Sequence, residues 1–267
     1  MSSVSERPYR AVIAVCRLLY RLLGLRVRVT GTEWIPATGP AVIAANHNGF
    51  ADFTFVGLVG TERGRLIRFM AKESVFHAPV AGPLMRAMGH IAVNRAAGAS
   101  AAVAAAHALQ RGELVGVYPE ATISRSFLLK DLREFRPGAA ALATQLGVPL
   151  VPVAHWGGHR VLTVAGRRTL RRGTAVHIAV GEPLLPVPGE SPEAMTARLH
   201  ERLEGLLSAL VEAYPQRPAD PARAWWWPGP LGGAAPFPEL AARLDAEGVA
   251  RADAAHTARR VRRGTLT

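Results

Sequence analysis

The sequence predicts an α/β fold, with a mostly parallel twisted sheet flanked by helices, an N-terminal amphipathic helix and a proline-rich C-terminal tail. Short apolar runs of strand length alternate with longer helical stretches, which is typical of parallel sheets covered by helices. The chain has 267 residues, of which 49% are hydrophobic and 19% charged. This is enough to bury a core, and it excludes disorder along the whole length. In addition, two polar motifs directly follow apolar strands, where open α/β sheets bind ligands.

The most apolar stretch near the N-terminus runs from Ala11 to Leu25, and Arg17 and Arg21 interrupt it. No window therefore approaches the roughly 18 uncharged residues that a membrane-spanning helix needs, and no small-residue cleavage site is evident. The stretch instead predicts an amphipathic helix, which either lies in the headgroup region of an anionic membrane or packs on its own domain. On a helical wheel, six apolar residues share one side and three arginines lie opposite: Val12, Val15, Cys16, Leu19, Leu22 and Leu23 against Arg10, Arg17 and Arg21.

The following region alternates strands and helices. The predicted strands are Arg26 to Thr30, Ala41 to Ala45, Leu66 to Met70, His90 to Val93, Leu114 to Tyr118, Leu150 to His155 and Ala175 to Val180. Helical patterns, each ending near a glycine, cover Phe53 to Val59, Pro79 to Met88, Ala97 to Arg111 and Gly138 to Leu146.

A long amphipathic helix follows, with Ser191 as its N-cap and Pro192 in its first turn, and it runs to about Tyr214. Seven prolines then make residues 215–238 a linker or a surface-wrapping segment, and 239–263 form one more basic helix. We therefore divide the chain into an amphipathic helix that associates with membranes (1–25), a catalytic domain (26–214) and a tail (215–267). The tryptophans at 225–227 either anchor in a membrane interface or pack over the domain.

The composition narrows the classes of partner. The formal net charge is +12, which favours a polyanion, a phosphorylated substrate or an anionic membrane surface. Nucleic acid is disfavoured, because no nucleic-acid motif is present and only 6% of the residues are aromatic. The single cysteine, Cys16, excludes an intramolecular disulfide, so a reducing compartment is the default expectation.

The first polar motif, Asn46 to Asp52, directly follows the apolar strand at Ala41 to Ala45. His47 and Asp52 can meet only if the segment between them turns, and Asn48-Gly49 favours a turn. A histidine with one ring nitrogen held by a carboxylate is a general base of fixed tautomer. The alternative is a surface turn in which Asp52 merely caps a helix.

The second polar motif, Tyr118 to Ser126, follows the strand at Leu114 to Tyr118. If the two strands are parallel, both motifs reach the same edge of the sheet. Glu120, Thr122, Ser124 and Arg125 then offer a carboxylate, hydroxyls and a guanidinium, which suit a polyol phosphate. Alone, this segment also fits an ordinary polar loop.

Taken together, the motifs resemble those of the glycerolipid acyltransferases, the family that includes the 1-acylglycerol-3-phosphate acyltransferases. Four blocks occur in the family's order and cover roughly residues 26–185. They are Asn46-His47 with Asp52, Gly89-His90-Ile91-Ala92-Val93-Asn94-Arg95, Tyr118-Pro119-Glu120-Ala121-Thr122-Ile123-Ser124, and Val148-Pro149-Leu150-Val151-Pro152-Val153.

The resemblance implies transfer of a fatty acyl group from a thioester of coenzyme A or acyl carrier protein to a hydroxyl of a lysophospholipid. We expect 1-acylglycerol-3-phosphate as acceptor and phosphatidic acid as product. His47 would deprotonate the hydroxyl and Asp52 would orient the imidazole. Glu120 and Thr122 would contact the glycerol, and Arg95 the phosphate. No resident cofactor or metal is expected, and the enzyme would act as a peripheral protein at the cytoplasmic face of an anionic membrane.

Two departures from the family pattern fall in the third block. Ala121 replaces a glycine, and Ile123 replaces the arginine that the family assigns to the acceptor phosphate. We expect Arg125 to substitute for that arginine if the segment is extended, with Lys130 and Arg136 as further candidates. The alternatives are another lysolipid or a glycolipid as acceptor, or a noncatalytic protein that binds anionic lipid. A pair of histidines at i, i+4, His155 and His159, has the spacing of metal ligands, but Gly157-Gly158 argues against a helix and no third ligand is evident.

Overall fold

A computed structural model describes residues 6–94, 98–164, 167–169 and 171–264. It confirms the predicted α/β class, with one seven-stranded sheet whose strand order is β1-β7-β6-β2-β5-β3-β4. All neighbouring strands are parallel except β6 and β7. The strands are β1 (Arg26–Thr30), β2 (Ala41–Ala45), β3 (Ile67–Lys72), β4 (Ile91–Val93), β5 (Leu114–Val117), β6 (Leu150–Trp156) and β7 (Ala175–Val180).

The helices cover both faces of the sheet. In the described residues they are α1 (Arg7–Leu22), α2 (Asp52–Thr61), α3 (Glu73–Phe76), α4 (Ala81–Ala87), α5 (Gly98–Gln110), α6 (Gly138–Leu146), α7 (Pro192–Glu212) and α8 (Pro238–Gly264). Within that part of the chain, no helix combines the length and the apolar character that crossing a bilayer requires.

Strand β2 lies at the centre of the core because all five of its side chains are buried. Val42 and Ala44 pack on one face with residues of α5, α6 and α7. Ala41, Ile43 and Ala45 pack on the opposite face with residues of α2. This alternation of side chains with burial on both faces explains why the strand is uniformly apolar.

Local signals in the sequence set several helix ends. The Ser191 hydroxyl accepts a hydrogen bond from Ala194 N at 3.1 Å, so it caps α7 as predicted. Gly147 ends α6 with a φ of +63°. The helix predicted over Pro79 to Met88 is present as α4, slightly shorter at both ends, and the short helix α3, which precedes Pro79, was not predicted. Pro79 disfavours helical backbone at the residue before it, which separates them.

The tail packs on the domain. Trp227 is buried, and its ring centroid lies 6.2 Å from that of Trp156 at the end of β6. Trp225 and Trp226 are partly buried in the same cluster. Of the two roles considered for the tryptophans, the structure therefore favours packing over the domain. The division of the chain at residues 25 and 214 stays a prediction.

Candidate active site

The candidate site lies where three neighbouring parallel strands end. Strand β2 pairs with β5 on one side and with β6 on the other. His47 follows β2, Glu120 follows β5, and His155 lies near the end of β6. Because the strands run in the same direction, their carboxyl ends meet at one edge of the sheet. The sheet thus brings together residues that are far apart in sequence.

His47 and Asp52 are in direct contact, as the spacing predicted. Asp52 Oδ2 lies 3.0 Å from His47 Nδ1 and also accepts hydrogen bonds from the backbone N–H groups of Asn48 and Gly49, both at 2.7 Å. A Cβ on Gly49 would lie 2.8 Å from the carbonyl oxygen of Leu162. The tight turn therefore needs a glycine, and it carries the chain back so that Asp52 can begin α2.

Asp52 is fully buried yet is held in its charged form. Burial acts to raise the pKa of its carboxyl, but the nearby imidazole of His155 and the hydrogen bonds from His47 and Gly49 N outweigh burial and lower the pKa below its ordinary value. The position of Asp52 in the first turn of α2 adds the favourable end of the helix dipole. This carboxylate can fix the His47 tautomer, with the proton on Nδ1, and stabilise an imidazolium.

A second histidine faces the same carboxylate oxygen. His155 Nε2 donates to the carbonyl oxygen of Asn46 at 2.7 Å and lies 3.5 Å from Asp52 Oδ2. The Asn46 side chain in turn forms hydrogen bonds with both backbone polar groups of His155. It donates to the carbonyl oxygen at 3.1 Å and accepts from the N–H at 2.8 Å. Asn46 thereby ties the end of β2 to β6 and holds the segment that carries His47.

Glu120 supports the backbone of the site from the side of β5. Its Oε1 accepts from His47 N at 2.8 Å and its Oε2 from Lys130 N at 3.2 Å. The side chain is buried, and burial raises its pKa to about 8 despite these donors and the charge of Lys130. The structure therefore shows Glu120 bonded to the protein backbone; its expected contact with the glycerol stays a prediction.

The face of the His47 ring is covered by Tyr118, whose ring centroid lies 4.4 Å away in a stacked arrangement. Burial keeps the pKa of the Tyr118 hydroxyl well above its ordinary value, so the phenol is neutral. This contact limits rotation of the imidazole. The side chain of His47 is 22% exposed, which leaves it accessible to a substrate.

The loop after Glu120 carries two cations, Arg125 and Lys130, that contact a carboxylate of helix α8. Lys130 Nζ donates to Thr122 Oγ1 at 2.6 Å and lies 3.0 Å from Asp245 Oδ2. Arg125 Nε lies 3.0 Å from the other oxygen of Asp245, which belongs to α8. Ile123 is buried and cannot contact a phosphate. The extended segment on which the placement of Arg125 depended is instead a loop of turns with Phe127 at a φ of 60°.

The structure brings most of the predicted site residues together. His47, Asp52 and Glu120 form one hydrogen-bonded unit. Thr122 and Arg125 lie on the loop that follows Glu120. There Thr122 contacts Lys130 and Arg125 contacts Asp245. Arg95 lies outside the described residues. The catalytic and binding roles assigned to all these residues stay predictions.

Sequence reasoning missed the contacts of His155 and Asp245. A signal existed for His155, because it is a polar residue near the carboxyl end of an otherwise apolar strand. The histidine spacing drew attention to metal binding instead, but His159 stacks on Phe127 and its Nε2 donates to the carbonyl oxygen of Trp226 at 3.0 Å. In the part of the chain that the structure describes, no three metal-ligating side chains cluster. No local pattern marks Asp245.

Known proteins resemble this chain in sequence and in fold. The model of the Acyltransferase family matches residues 26–156. The 1-acyl-sn-glycerol-3-phosphate acyltransferase of Bacillus subtilis (strain 168) is 31% identical over 200 residues, which are 71% of this chain and 93% of that protein. The chloroplastic LPAT1 of Arabidopsis thaliana, with the same activity in its name, is 27% identical over 60% of this chain, which spans 44% of that longer protein.

A solved structure shares the architecture. The 1-acyl-sn-glycerophosphate acyltransferase PlsC from Thermotoga maritima matches with a TM-score of 0.64 and 22% sequence identity, covering 78% of this chain and 81% of that one. At this identity the likeness concerns the fold, and it agrees with the mostly parallel sheet described above. The region that the family model matches, 26–156, contains β2, β5 and β6, and the Bacillus relative is 31% identical over 93% of its own length. The chain therefore belongs to the acyltransferase family.

Proposed function

We propose that this protein transfers a fatty acyl group from an acyl thioester to a hydroxyl of a lysophospholipid, with His47 as the general base. The observation that carries the proposal is the contact of His47 Nδ1 with the buried carboxylate of Asp52 at 3.0 Å. This contact leaves His47 Nε2 as the basic nitrogen. Nε2 makes no hydrogen bond to the described part of the chain. A base of this kind suits removal of a proton from a hydroxyl.

The reaction uses His47 twice. Nε2 takes the proton of the acceptor hydroxyl as its oxygen attacks the thioester carbonyl, and Asp52 stabilises the resulting imidazolium. When the tetrahedral intermediate collapses, the C–S bond breaks and the imidazolium returns the proton to the departing thiolate. The products are an ester and a free thiol, and no covalent acyl-enzyme is formed. The donor is a thioester of coenzyme A or of acyl carrier protein, so no resident cofactor is required.

For the acceptor, we propose 1-acylglycerol-3-phosphate, which gives phosphatidic acid. The names of the Bacillus and Arabidopsis relatives support this choice, and Arg125 and Lys130 supply cations near the site. A second candidate is a lysolipid or glycolipid without a phosphate monoester. It is favoured by the buried Ile123 and by the ion pairs that both cations make with Asp245.

We also propose that the enzyme works as a peripheral protein on the cytoplasmic face of a membrane that contains anionic lipid. Helix α1 supports this proposal because Val15, Leu18 and Leu22 are more than half exposed, beside the exposed Arg17 and Arg21. Apolar side chains flanked by arginines suit the headgroup region of an anionic bilayer.

Acyl transfer from a long-chain acyl thioester to a panel of lysolipid acceptors tests the function. His47→Ala is expected to reduce kcat by at least about 100-fold, since it removes the general base. His107→Ala is the matched control, because His107 is exposed on α5, and it should retain wild-type activity. Wild-type rates in folded His47→Ala would refute the mechanism, and a folded wild type that acylates no acceptor would favour a noncatalytic lipid binder.

A further inference from the structure

A carboxylate from the C-terminal helix occupies the cation pair beside the candidate site. Asp245 of α8 reaches Arg125 Nε and Lys130 Nζ with its two oxygens, each at 3.0 Å. The side chains of Asp245 and Lys130 are 7% and 6% exposed, and that of Arg125 is 24% exposed. Helix α8 also approaches the arginine closely, since a Cβ on Gly248 would lie 3.3 Å from Arg125 Nη2. These contacts form a largely enclosed three-residue cluster.

Hydrogen bonds link the cluster to the backbone of His47. Lys130 Nζ donates to Thr122 Oγ1, and Lys130 N donates to Glu120, whose other oxygen accepts from His47 N. Asp245 is thus separated from the backbone of His47 by only Lys130 and Glu120. A substrate headgroup that reaches Thr122 Oγ1 would also lie close to Lys130 Nζ, which Asp245 engages.

We propose that Asp245 is a specificity-determining residue that opposes binding of a phosphate monoester by the acceptor site. The inference rests on the proposed function, because it concerns the choice of acceptor for that acyl transfer. Two cations and one carboxylate leave the cluster with a net charge of +1, whereas the cations alone would present +2. A phosphate monoester carries close to two negative charges at neutral pH, so it competes with Asp245 for Arg125 and Lys130 and is repelled by it.

The buried Ile123 strengthens this argument. The position that the family pattern gives to a phosphate-binding arginine holds an apolar side chain here, and the cations nearest to it in sequence, Arg125 and Lys130, are paired with Asp245. Thr122, by contrast, offers a hydroxyl oxygen to an uncharged polyol. Asp245 therefore shifts the relative preference of the site away from phosphate and toward hydroxyl-bearing headgroups.

Asp245→Asn tests the proposal because it removes the charge and nearly keeps the shape. We would measure kcat/KM with lysophosphatidate and with the 1-monoacylglycerol of the same acyl chain, and compare the ratio of the two values. Asp245→Asn should raise this ratio about tenfold, because a repulsive charge close to the phosphate is removed. Asp245→Glu, which keeps the charge, should stay close to the wild-type ratio.

Glu247→Gln is the matched control on the same helix. Glu247 lies about 200° around the helix axis from Asp245, is exposed, and pairs with Arg251. The same loss of charge at this position should leave the ratio unchanged. A rise equal to that of Asp245→Asn would contradict the proposal, because it would show a general effect of net charge.

Two further outcomes separate specificity from stability. An equal loss of activity with both acceptors in Asp245→Asn would mean that Asp245 only holds α8 in place, and an unchanged ratio would also refute the proposal. Arg125→Gln removes a cation of the cluster instead of its carboxylate, at a partly exposed side chain. It should lower the ratio, and it can be measured even if Asp245→Asn does not fold. An unchanged ratio in Arg125→Gln overturns the inference. A wild type that acylates neither acceptor refutes the proposed function instead.

Discussion

Ala121 adopts a backbone conformation that glycine tolerates better than alanine. Its φ is 57°, in the left-handed region, and it stands where the family pattern has glycine. The alanine side chain is exposed, so the strain comes from its own backbone and not from a neighbour. The departure from the family pattern therefore costs stability at the loop that follows Glu120.

Ala121→Gly is expected to raise the free energy of unfolding by about 1 kcal/mol, because it relieves the left-handed strain. Urea unfolding measures the change. Ala102→Gly, at an exposed position inside α5, is the control and should lower the free energy by about 1 kcal/mol. Destabilisation by both substitutions would contradict this account of Ala121.

The raised pKa of Glu120 predicts a specific dependence of stability on pH. The folded protein binds this proton up to about pH 8, whereas the unfolded chain releases it near pH 4.5. The contribution of Glu120 to the free energy of unfolding is therefore full below pH 4.5 and is lost as pH rises through about 8.

Glu120→Gln cannot titrate, so the difference in unfolding free energy between wild type and variant isolates this group. We expect the wild type to lose a few kcal/mol relative to Glu120→Gln between pH 5 and pH 8. Chemical denaturation at several pH values measures the difference. Parallel curves for the two proteins would show that Glu120 is ionised in the folded state throughout this range.

At the scale of residues, the sequence was most informative where the contact was local. His47 and Asp52 are five positions apart and a short turn joins them, so their contact followed from turn chemistry and the position of the strand. Asp245 meets Arg125 across more than a hundred residues, through the docking of a helix that has no distinctive local pattern. The same holds for His155, whose contact with Asp52 depends on β6 lying beside β2.

Helix α1 presents two apolar surfaces. Tyr9 is buried, and its hydroxyl donates to the carbonyl oxygen of Ile67 at 2.7 Å, which fixes the helix to β3. Val15, Leu18, Leu19 and Leu22 face outward and are about half exposed. The two roles considered for this amphipathic helix are therefore compatible, because packing on the domain leaves an outward apolar surface.

Leu18→Glu is expected to weaken binding to vesicles of anionic phospholipid roughly tenfold, since it removes apolar area and adds a repelled charge. Co-sedimentation at low and high salt measures this. Val103→Glu on α5 is the matched control, because Leu18 and Val103 are 53% and 54% exposed. Equal losses of binding in the two variants would exclude a specific role for α1.

At the scale of elements, alternating apolar runs identified all seven strands, and three of them, β1, β2 and β7, have the predicted bounds. Such runs are informative because a strand buried on both faces must be apolar throughout. The region of α3 and α4 was less predictable. The predicted helical pattern began only at Pro79, so it contained α4 and missed the four-residue helix α3, which the close approach of Gly82 to the carbonyl oxygen of Phe76 packs against the start of α4.

At the scale of the whole molecule, residues of the tail, among them Trp227 and Ala235, belong to the folded core. Gln216 accepts from Arg160 Nη1 at 2.7 Å and donates to the carbonyl oxygen of Gly173 at 2.7 Å, and Trp227 packs on Trp156. Proline content alone suggested a linker or a wrapping segment. The segment wraps the surface of the domain, because burial of the apolar side chains between its prolines stabilises that arrangement.

Trp227→Ala is expected to lower the free energy of unfolding by about 3–5 kcal/mol, because it leaves a cavity beside Trp156. Trp34→Ala, at a side chain that is 42% exposed, should cost about 1 kcal/mol or less. Urea denaturation followed by circular dichroism compares them. A small effect of Trp227→Ala would show that the tail contributes little to the stability of the domain.

The order of strands has a consequence for biosynthesis. Strand β2 ends at Ala45, but its two neighbours begin only at Leu114 and Leu150, and Asp245 is made later still. During translation, His47 therefore emerges from the ribosome long before the segments that surround it. Long loops must then close before the sheet can form around β2. The proposed base emerges early and gains its partners late, and if Asp245 sets the choice of acceptor as proposed, a nascent chain acquires that selectivity only after α8 has left the ribosome.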